Sequence, residues 1–200
     1  IEREIPFIFS SYGMLGVSTP ISISDTAALI NAEILAGLTI TQLLCEGAPI
    51  ILGPMPAFFD MKTMVSFYDP LSILLNLVFA ELMAHYKIPH CGTSGSTTGL
   101  APDIVAAGEM MMNQITCVVG KVGLAPVASS ILDGKVLSPT NMVHADEIIA
   151  NARRFSEGFK IDNGDIGLEE IHAVGSGGSF LTPDRTLDLF HTVNRESNIF

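Results

Sequence analysis

The chain has 200 residues, enough for one domain with a sizeable core, and 48% are hydrophobic against only 16% charged. A formal net charge of −11 with no basic stripe argues against nucleic acid as a partner, while leaving room for long-range steering of a cationic ligand. Three cysteines, Cys45, Cys91 and Cys117, form no CxxC pair and leave one over, which speaks against a disulfide framework and for a reducing cytoplasm.

Residues 5–9 read as a strand running into Ser10-Ser11-Tyr12-Gly13, followed by a Gly/Ser/Thr/Pro loop to Ser24. Glu2, Arg3 and Glu4 beside this run give no signal-peptide pattern. Ser24 or Asp25 is the expected cap of a helix over residues 27–44 that closes at Gly47. Residues 49–52 read as a short strand, and 53–69 as a long connection holding Phe58, Phe59, Asp60, Phe67 and Tyr68. Asp69-Pro70 opens a helix to about Tyr86. Its apolar run over 71–84 carries Asn76 and Glu81 and is too short to span a bilayer, so it reads as a buried helix.

Residues 89–93 are the expected third strand. It breaks into Gly92-Thr93-Ser94-Gly95-Ser96-Thr97-Thr98-Gly99, a run with no apolar face and many backbone N–H groups. A helix follows from Pro102-Asp103 to about Gly120. Residues 124–131 read as a fourth strand, and Ser138-Pro139 caps a helix to about Phe159. Beyond it come a turn over 162–167, an ambiguous stretch over 168–173, a loop over 175–178 and a last helix from Thr182-Pro183.

Strand, loop, helix, repeated four times, is the pattern of parallel βα units. The connections after the strands are long and those before them short, as in a barrel whose working face lies at the carboxyl ends of its strands. Four or five units do not close an eight-stranded barrel. Either the sheet is open and doubly wound, or the chain is part of a longer polypeptide.

The 92–99 loop matches neither a Walker motif nor a dinucleotide fingerprint. It is either a flexible βα loop or a cradle of N–H and hydroxyl donors for an anion or substrate. His85, His90 and Cys91, and likewise His144, Asp146 and Glu147, lack a zinc-ligand spacing with a second pair, so no protein-bound metal is expected.

The order of several motifs resembles the trimethylamine:corrinoid methyltransferase family. They are Ser18-Thr19-Pro20, Asn31-Ala32-Glu33-Ile34-Leu35-Ala36-Gly37, Gly47-Ala48-Pro49, Phe59-Asp60-Met61-Lys62, Gly92-Thr93, Pro102-Asp103 with Glu109, and Val174-Gly175-Ser176-Gly177-Gly178-Ser179-Phe180-Leu181. The likeness runs from about Phe7 to Leu181. It implies a fold, the C-terminal portion of a (β/α)8 TIM-type barrel of parallel strands with crossover helices, as a single domain over residues 1–200. It also implies a reaction: methyl transfer from a methylamine to the cobalt of a corrinoid (cobalamin) carried by a separate corrinoid-binding protein.

In the trimethylamine-using members a pyrrolysine follows a Gly-Thr pair on the way to Pro-Asp. Here Ser94 follows Gly92-Thr93. That departure moves the expected substrate toward a quaternary ammonium such as glycine betaine.

Such a reaction is a direct displacement whose leaving group is a neutral amine, so no general base is needed. The protein must hold the C–N bond in line, exclude water and avoid over-stabilising the cation, because charge leaves the nitrogen as the bond breaks. An aromatic surround suits this better than several close carboxylates. The candidate substrate residues are Phe58, Phe59 and Tyr68 for that surround, Gly92, Thr93, Ser94, Gly95 and Ser96 as donors, and His90 near the cleft. Asp60 and Glu109 align with the family motifs. Asp103 is most economically a helix cap, and Glu109 the better candidate for a hydrogen-bonded role.

Two other readings stay open. One is a TIM-barrel enzyme holding a phosphorylated substrate in the 92–99 loop, and the other a non-catalytic amine-binding module. A Schiff-base version of the first lacks a strand-borne lysine, since Lys62, Lys87, Lys121, Lys135 and Lys160 fall in or near loops and helix ends. No membrane contact is expected, and homo-oligomerisation is left open.

Overall fold

A computed structural model describes residues 5–67, 69–92, 96–124, 129–159 and 166–193. Two compact units appear, one over residues 1–156 and the other over 157–200. The larger is a mixed α/β arrangement of parallel strands and helices, with α1 and α2 packed on the strands.

Strand β1 (Phe7–Met14) and strand β2 (Ile50–Asp60) pair in parallel from Phe7 opposite Ile50 to Met14 opposite Ala57. Helix α1 (Ile23–Leu44) makes the crossover between them. Its cap is Ser22, whose hydroxyl accepts the Asp25 N–H, rather than the expected Ser24 or Asp25. Thr26, Ile30, Ile34, Gly37 and Thr41 recur every three or four residues and form the buried stripe. Gly37 is what lets α1 lie close to β1, because a Cβ there would sit 2.1 Å from Cε1 of Phe9. The Ser11 hydroxyl also donates to the Glu33 carboxylate across the same contact. Among the described residues only α1 is long and apolar enough to cross a membrane by length and composition.

Strand β2 runs eight residues past the expected end, through Pro54 and Pro56, to Asp60. Phe58, Phe59 and Asp60 therefore sit at the end of a strand and not on a loop. Leu52 directs both its N–H and its carbonyl toward the next segment, bonding Pro89 O at 3.0 Å and Cys91 N at 2.8 Å. Residues 54 and 56 face the same way by the two-residue period, and proline offers no donor there. The edge toward β1 keeps its ladder, because its bonds use the intervening residues. This explains why the third strand expected over 89–93 is reduced to bridges at His90 with Leu52 and at Cys91 with Leu124. Thr93 lies outside the described residues.

A short strand β3 (Val65–Phe67) folds back antiparallel on the end of β2. Helix α2 (Pro70–Tyr86) follows, capped by Asp69, whose carboxylate accepts the Leu71 N–H at 2.7 Å. Helix α3 (Ile104–Val119) is capped by Asp103. Two core clusters hold the layers together. Leu15, Ile30, Leu75 and Phe79 meet above, with Phe58 packed against them, and Ile34, Ile50, Leu52 and Met83 meet below. Ala80, Cys117 and Val122 join α2 to α3.

The fourth strand expected over 124–131 appears as the bridge at Leu124 and the two-residue strand β4 (Ser130–Ile131), with 125–128 outside the described residues. Ser96 and Ser130 bridge in parallel, so the direction of the chain is kept. Strand β5 (Val136–Leu137) folds back on β4, and helix α4 (Pro139–Glu157) follows, where the Ser138 hydroxyl accepts the Asn141 N–H. In the smaller unit the stretch that sequence left ambiguous is helix α5 (Leu168–Val174), and α6 (Asp184–Val193) is the last helix. The turn expected over 162–167 falls mostly on 160–165, outside the described residues.

Candidate functional site at the carboxyl ends of the strands

All the parallel segments finish at one end of the larger unit, where β1, β2, residues 96–99 and residues 130–133 come together. Side chains alternate along β1 and β2. Phe7, Phe9, Ser11 and Gly13 face the helices, while Ile8, Ser10 and Tyr12 face the opposite, more open side. That second face is tight at its centre, since a Cβ on Gly53 would lie 2.9 Å from the Cys91 sulfur and 3.1 Å from Ser10 Cβ. Burial pushes the Cys91 thiol up, so it is held as an unreactive thiol.

The same alternation separates the two phenylalanines. Phe58, partly buried, packs against the core cluster of Leu15, Ile30, Leu75 and Phe79. Phe59 points to the other face, opposite Ser66 of β3. Asp60 closes the β2–β3 turn, with Oδ1 accepting the Lys62 N–H at 2.9 Å and Oδ2 the Thr63 hydroxyl at 2.7 Å. The Lys62 N–H, and then the Thr63 hydroxyl, hold its carboxyl below the usual range. Its charge is thus committed to the turn.

Glu109 reaches back from α3 to residue 98. The Thr98 N–H donates to Oε2 at 2.7 Å and the Thr98 hydroxyl to Oε1 at 2.6 Å. Thr97 is buried, and its hydroxyl donates to Ser130 O. Together these bonds fasten residues 96–99 between α3 and β4. Asp103 Oδ1 accepts the Ala106 N–H at 2.9 Å, which is the chief reason its carboxyl lies below the ordinary value.

His90 Nε2 accepts the Gly123 N–H at 3.2 Å, and burial pushes the imidazole down toward the neutral form this bond requires. Gly92 is buried where a Cβ would stand 2.6 Å from Val122 Cγ1 and 3.2 Å from Asn76 Oδ1. Its lack of a side chain serves packing. Of the remaining sequence candidates Ser96 bridges Ser130, while Tyr68, Thr93, Ser94 and Gly95 lie outside the described residues.

Three residues that sequence reasoning passed over meet on the Phe59 face. The Ser66 hydroxyl donates to the Asp133 carboxylate, and Tyr12 is hydrogen-bonded to Ser66. Burial pushes the Tyr12 phenol up, and the Asp133 charge adds to this against the bond with Ser66. Ser66 thus stands between the Tyr12 phenol and the Asp133 carboxylate and touches both. Asp133 sits at φ 55°, between Leu132 at 52° and Gly134 at 79°, three successive left-handed residues. The Asp133-Gly134 pair was the available turn signal. Nothing local told which strand ends the turn would meet.

Two cavities among the described residues lie away from the carboxyl ends of the strands. One of about 570 Å³ opens at the amino ends of the strands among Pro6, Leu38, Ile50, Ile51 and Ile88. Another of about 460 Å³ lies within the smaller unit between Ile171, Phe180, Leu189 and Phe190, beside Glu170 and Arg185. Neither carries the converging polar groups of the strand ends. Among the described residues no group of three or more His, Cys, Asp or Glu is placed to hold a metal ion.

A family model described as trimethylamine methyltransferase matches residues 1–200. The chain is 29% identical over 181 residues to a glycine betaine methyltransferase of Desulfitobacterium hafniense (strain Y51), covering 90% of this chain and 38% of that protein. It is 25% identical over 183 residues to a trimethylamine methyltransferase MttB of Desulfitobacterium hafniense (strain DSM 10664 / DCB-2), covering 91% of this chain and 37% of that protein. The MttB of Methanosarcina thermophila is 25% identical over 186 residues, with 92% and 38% covered. The chain thus spans well under half the length of these relatives.

Proposed function

The chain belongs to the trimethylamine methyltransferase family, and from that premise we propose that it is part of an enzyme demethylating a quaternary or tertiary methylamine. The methyl acceptor is the Co(I) of a corrinoid on a separate protein, and glycine betaine represents the favoured substrate class. The observation that carries the choice of substrate is Ser94 after Gly92-Thr93, where trimethylamine-using members of the family carry pyrrolysine. The fold belonging to this reading is the C-terminal portion of a (β/α)8 barrel acting in the cytoplasm, and parallel strands that finish at one end support it.

Reduced cobalt, presented by the partner, supplies the nucleophile in this reaction. The chain's own residues have a simpler task. Phe59 and Tyr12 offer aromatic surface on the open face, which suits a methylated ammonium and its loss of charge. The Glu109–Thr98 grip holds residues 96–99 still beside them, and fixed geometry is what an in-line displacement needs. No proton has to move, so His90 can keep its bond to the Gly123 N–H and Asp60 its bonds to the Lys62 N–H and the Thr63 hydroxyl.

The full-length protein tests this reading. It is incubated with Co(I) cobalamin and, in turn, glycine betaine, carnitine, proline betaine and trimethylamine, while the corrinoid spectrum and the demethylated amine are followed. Turnover of a quaternary amine is the expected result. Absence of transfer from all four overturns the assignment.

A further inference from the structure

We propose that Asp133, held by Ser66 and flanked by Tyr12 and Phe59, is the counter-charge that selects a methylated ammonium over an uncharged molecule of the same shape. The inference rests on the methylamine reading and goes on to name the group that distinguishes charge.

Four observations converge on it. Tyr12 comes from β1, Ser66 from β3 and Asp133 from the β4–β5 turn, so three separate elements bring one polar cluster to the carboxyl ends of the strands. Phe59 and Ser66 are directly opposed across the β2–β3 pair, which puts an aromatic ring on the same face as the carboxylate. Ser66 occupies Oδ2 of Asp133, and among the described residues no hydrogen bond is made to Oδ1. Finally, Leu132 adopts left-handed backbone, a conformation an aliphatic residue seldom keeps unless the surroundings impose it, and Asp133 follows in the same region. The turn is held in this form at Asp133 N and Leu132 N, which donate to Thr97 O at 2.8 Å and Gly99 O at 2.9 Å.

A quaternary ammonium has no N–H, so it is recognised by charge and by aromatic faces rather than by hydrogen bonds. One carboxylate beside two rings meets that need. The Ser66 bond keeps the carboxylate in place and takes part of its charge. Because the substrate loses its positive charge in the transition state, Asp133 stabilises the bound substrate more than the transition state. Its removal therefore weakens binding without slowing the chemical step. A purely structural aspartate would have no such split.

The experiment uses the full-length protein and compares glycine betaine with 3,3-dimethylbutanoate, its isostere with carbon in place of the charged nitrogen. Calorimetry gives the ratio of the two dissociation constants, which is insensitive to a partial loss of folded protein. Wild type should favour the cation by about tenfold or more, and Asp133→Asn should bring the ratio close to one. With Co(I) cobalamin, Asp133→Asn should raise KM for the betaine by about tenfold and leave kcat unchanged or higher. If Asp133→Asn does not fold, Tyr12→Leu takes its place and should lower the ratio by about threefold or more. The proposal is overturned if wild type binds both compounds equally, or if the variant keeps the wild-type ratio. Binding is read without cobalamin, so intact charge selection with no methyl transfer defeats the functional assignment and spares this one.

Discussion

Glu109 grips Thr98 with both oxygens of its carboxylate, one on the backbone N–H and one on the hydroxyl. Helix α3 thereby fixes the segment that runs alongside β4. Glu109→Gln keeps the shape but replaces one acceptor with a donor. It should cost about 1–3 kcal/mol in urea unfolding. It should also speed hydrogen exchange at the Thr98 amide, and unchanged exchange there would remove the grip from the account.

Phe58 and Phe59 are adjacent but should respond differently to truncation. Phe58→Ala opens the cluster around Leu15, Ile30 and Phe79, at a cost of about 3 kcal/mol. Phe59→Ala should leave stability within about 1 kcal/mol, because its ring lies on the open face. Its effect belongs in amine affinity, a loss of about 0.5–2 kcal/mol by calorimetry. Equal destabilisation by the two changes would contradict the assignment of faces.

The α1–β1 contact is set by Gly37. Gly37→Ala places a methyl where the Phe9 ring already is, and overpacking of this sort costs about 1–3 kcal/mol. Adding Phe9→Leu should return part of that loss. Strict additivity of the two changes would show that the clash is relieved elsewhere.

The acid side of the stability profile follows from the shifted groups. Asp60 and Asp103 lie below the ordinary carboxyl value of 3.8 when folded, so between the two values the unfolded chain binds more protons. Their contribution is present above 3.8 and is lost as pH falls through the folded values. His90 is lowered from 6.5 by burial, so its contribution is also present above the unfolded value. It declines as pH drops from 6.5 toward the folded one. Thermal unfolding from pH 7 to 5 should fall less steeply for His90→Gln than for wild type. Parallel curves would mean that the imidazole does not titrate on unfolding.

Local rules carried the helices well. Asp69-Pro70 placed the start of α2, Lys87 ends it in a left-handed cap, and Asp103 caps α3 as its position suggested. The strands were less readable because their limits depend on partners. Pro54 and Pro56 looked like the end of a strand, yet they belong to β2, since their missing donors face away from β1. The Tyr12, Ser66 and Asp133 cluster was unreadable for a related reason. Ser66 and Asp133 are 67 positions apart, and no local pattern announces that two separate turns will meet. The Gly123 N–H that meets His90 lies 33 positions along the chain and no local pattern announces it, whereas the donors on Asp60 come from its near neighbours Lys62 and Thr63.

Among the described residues β2 bonds its outer neighbour at Leu52, and Pro54 and Pro56 beyond it bring no N–H to that edge. The end of β2 that carries Phe59 is therefore steadied from its other sides, by β1 along its length and by β3 at its tip. Its two pyrrolidine rings, which lock φ, add stiffness to the backbone at the point where the ladder gives none.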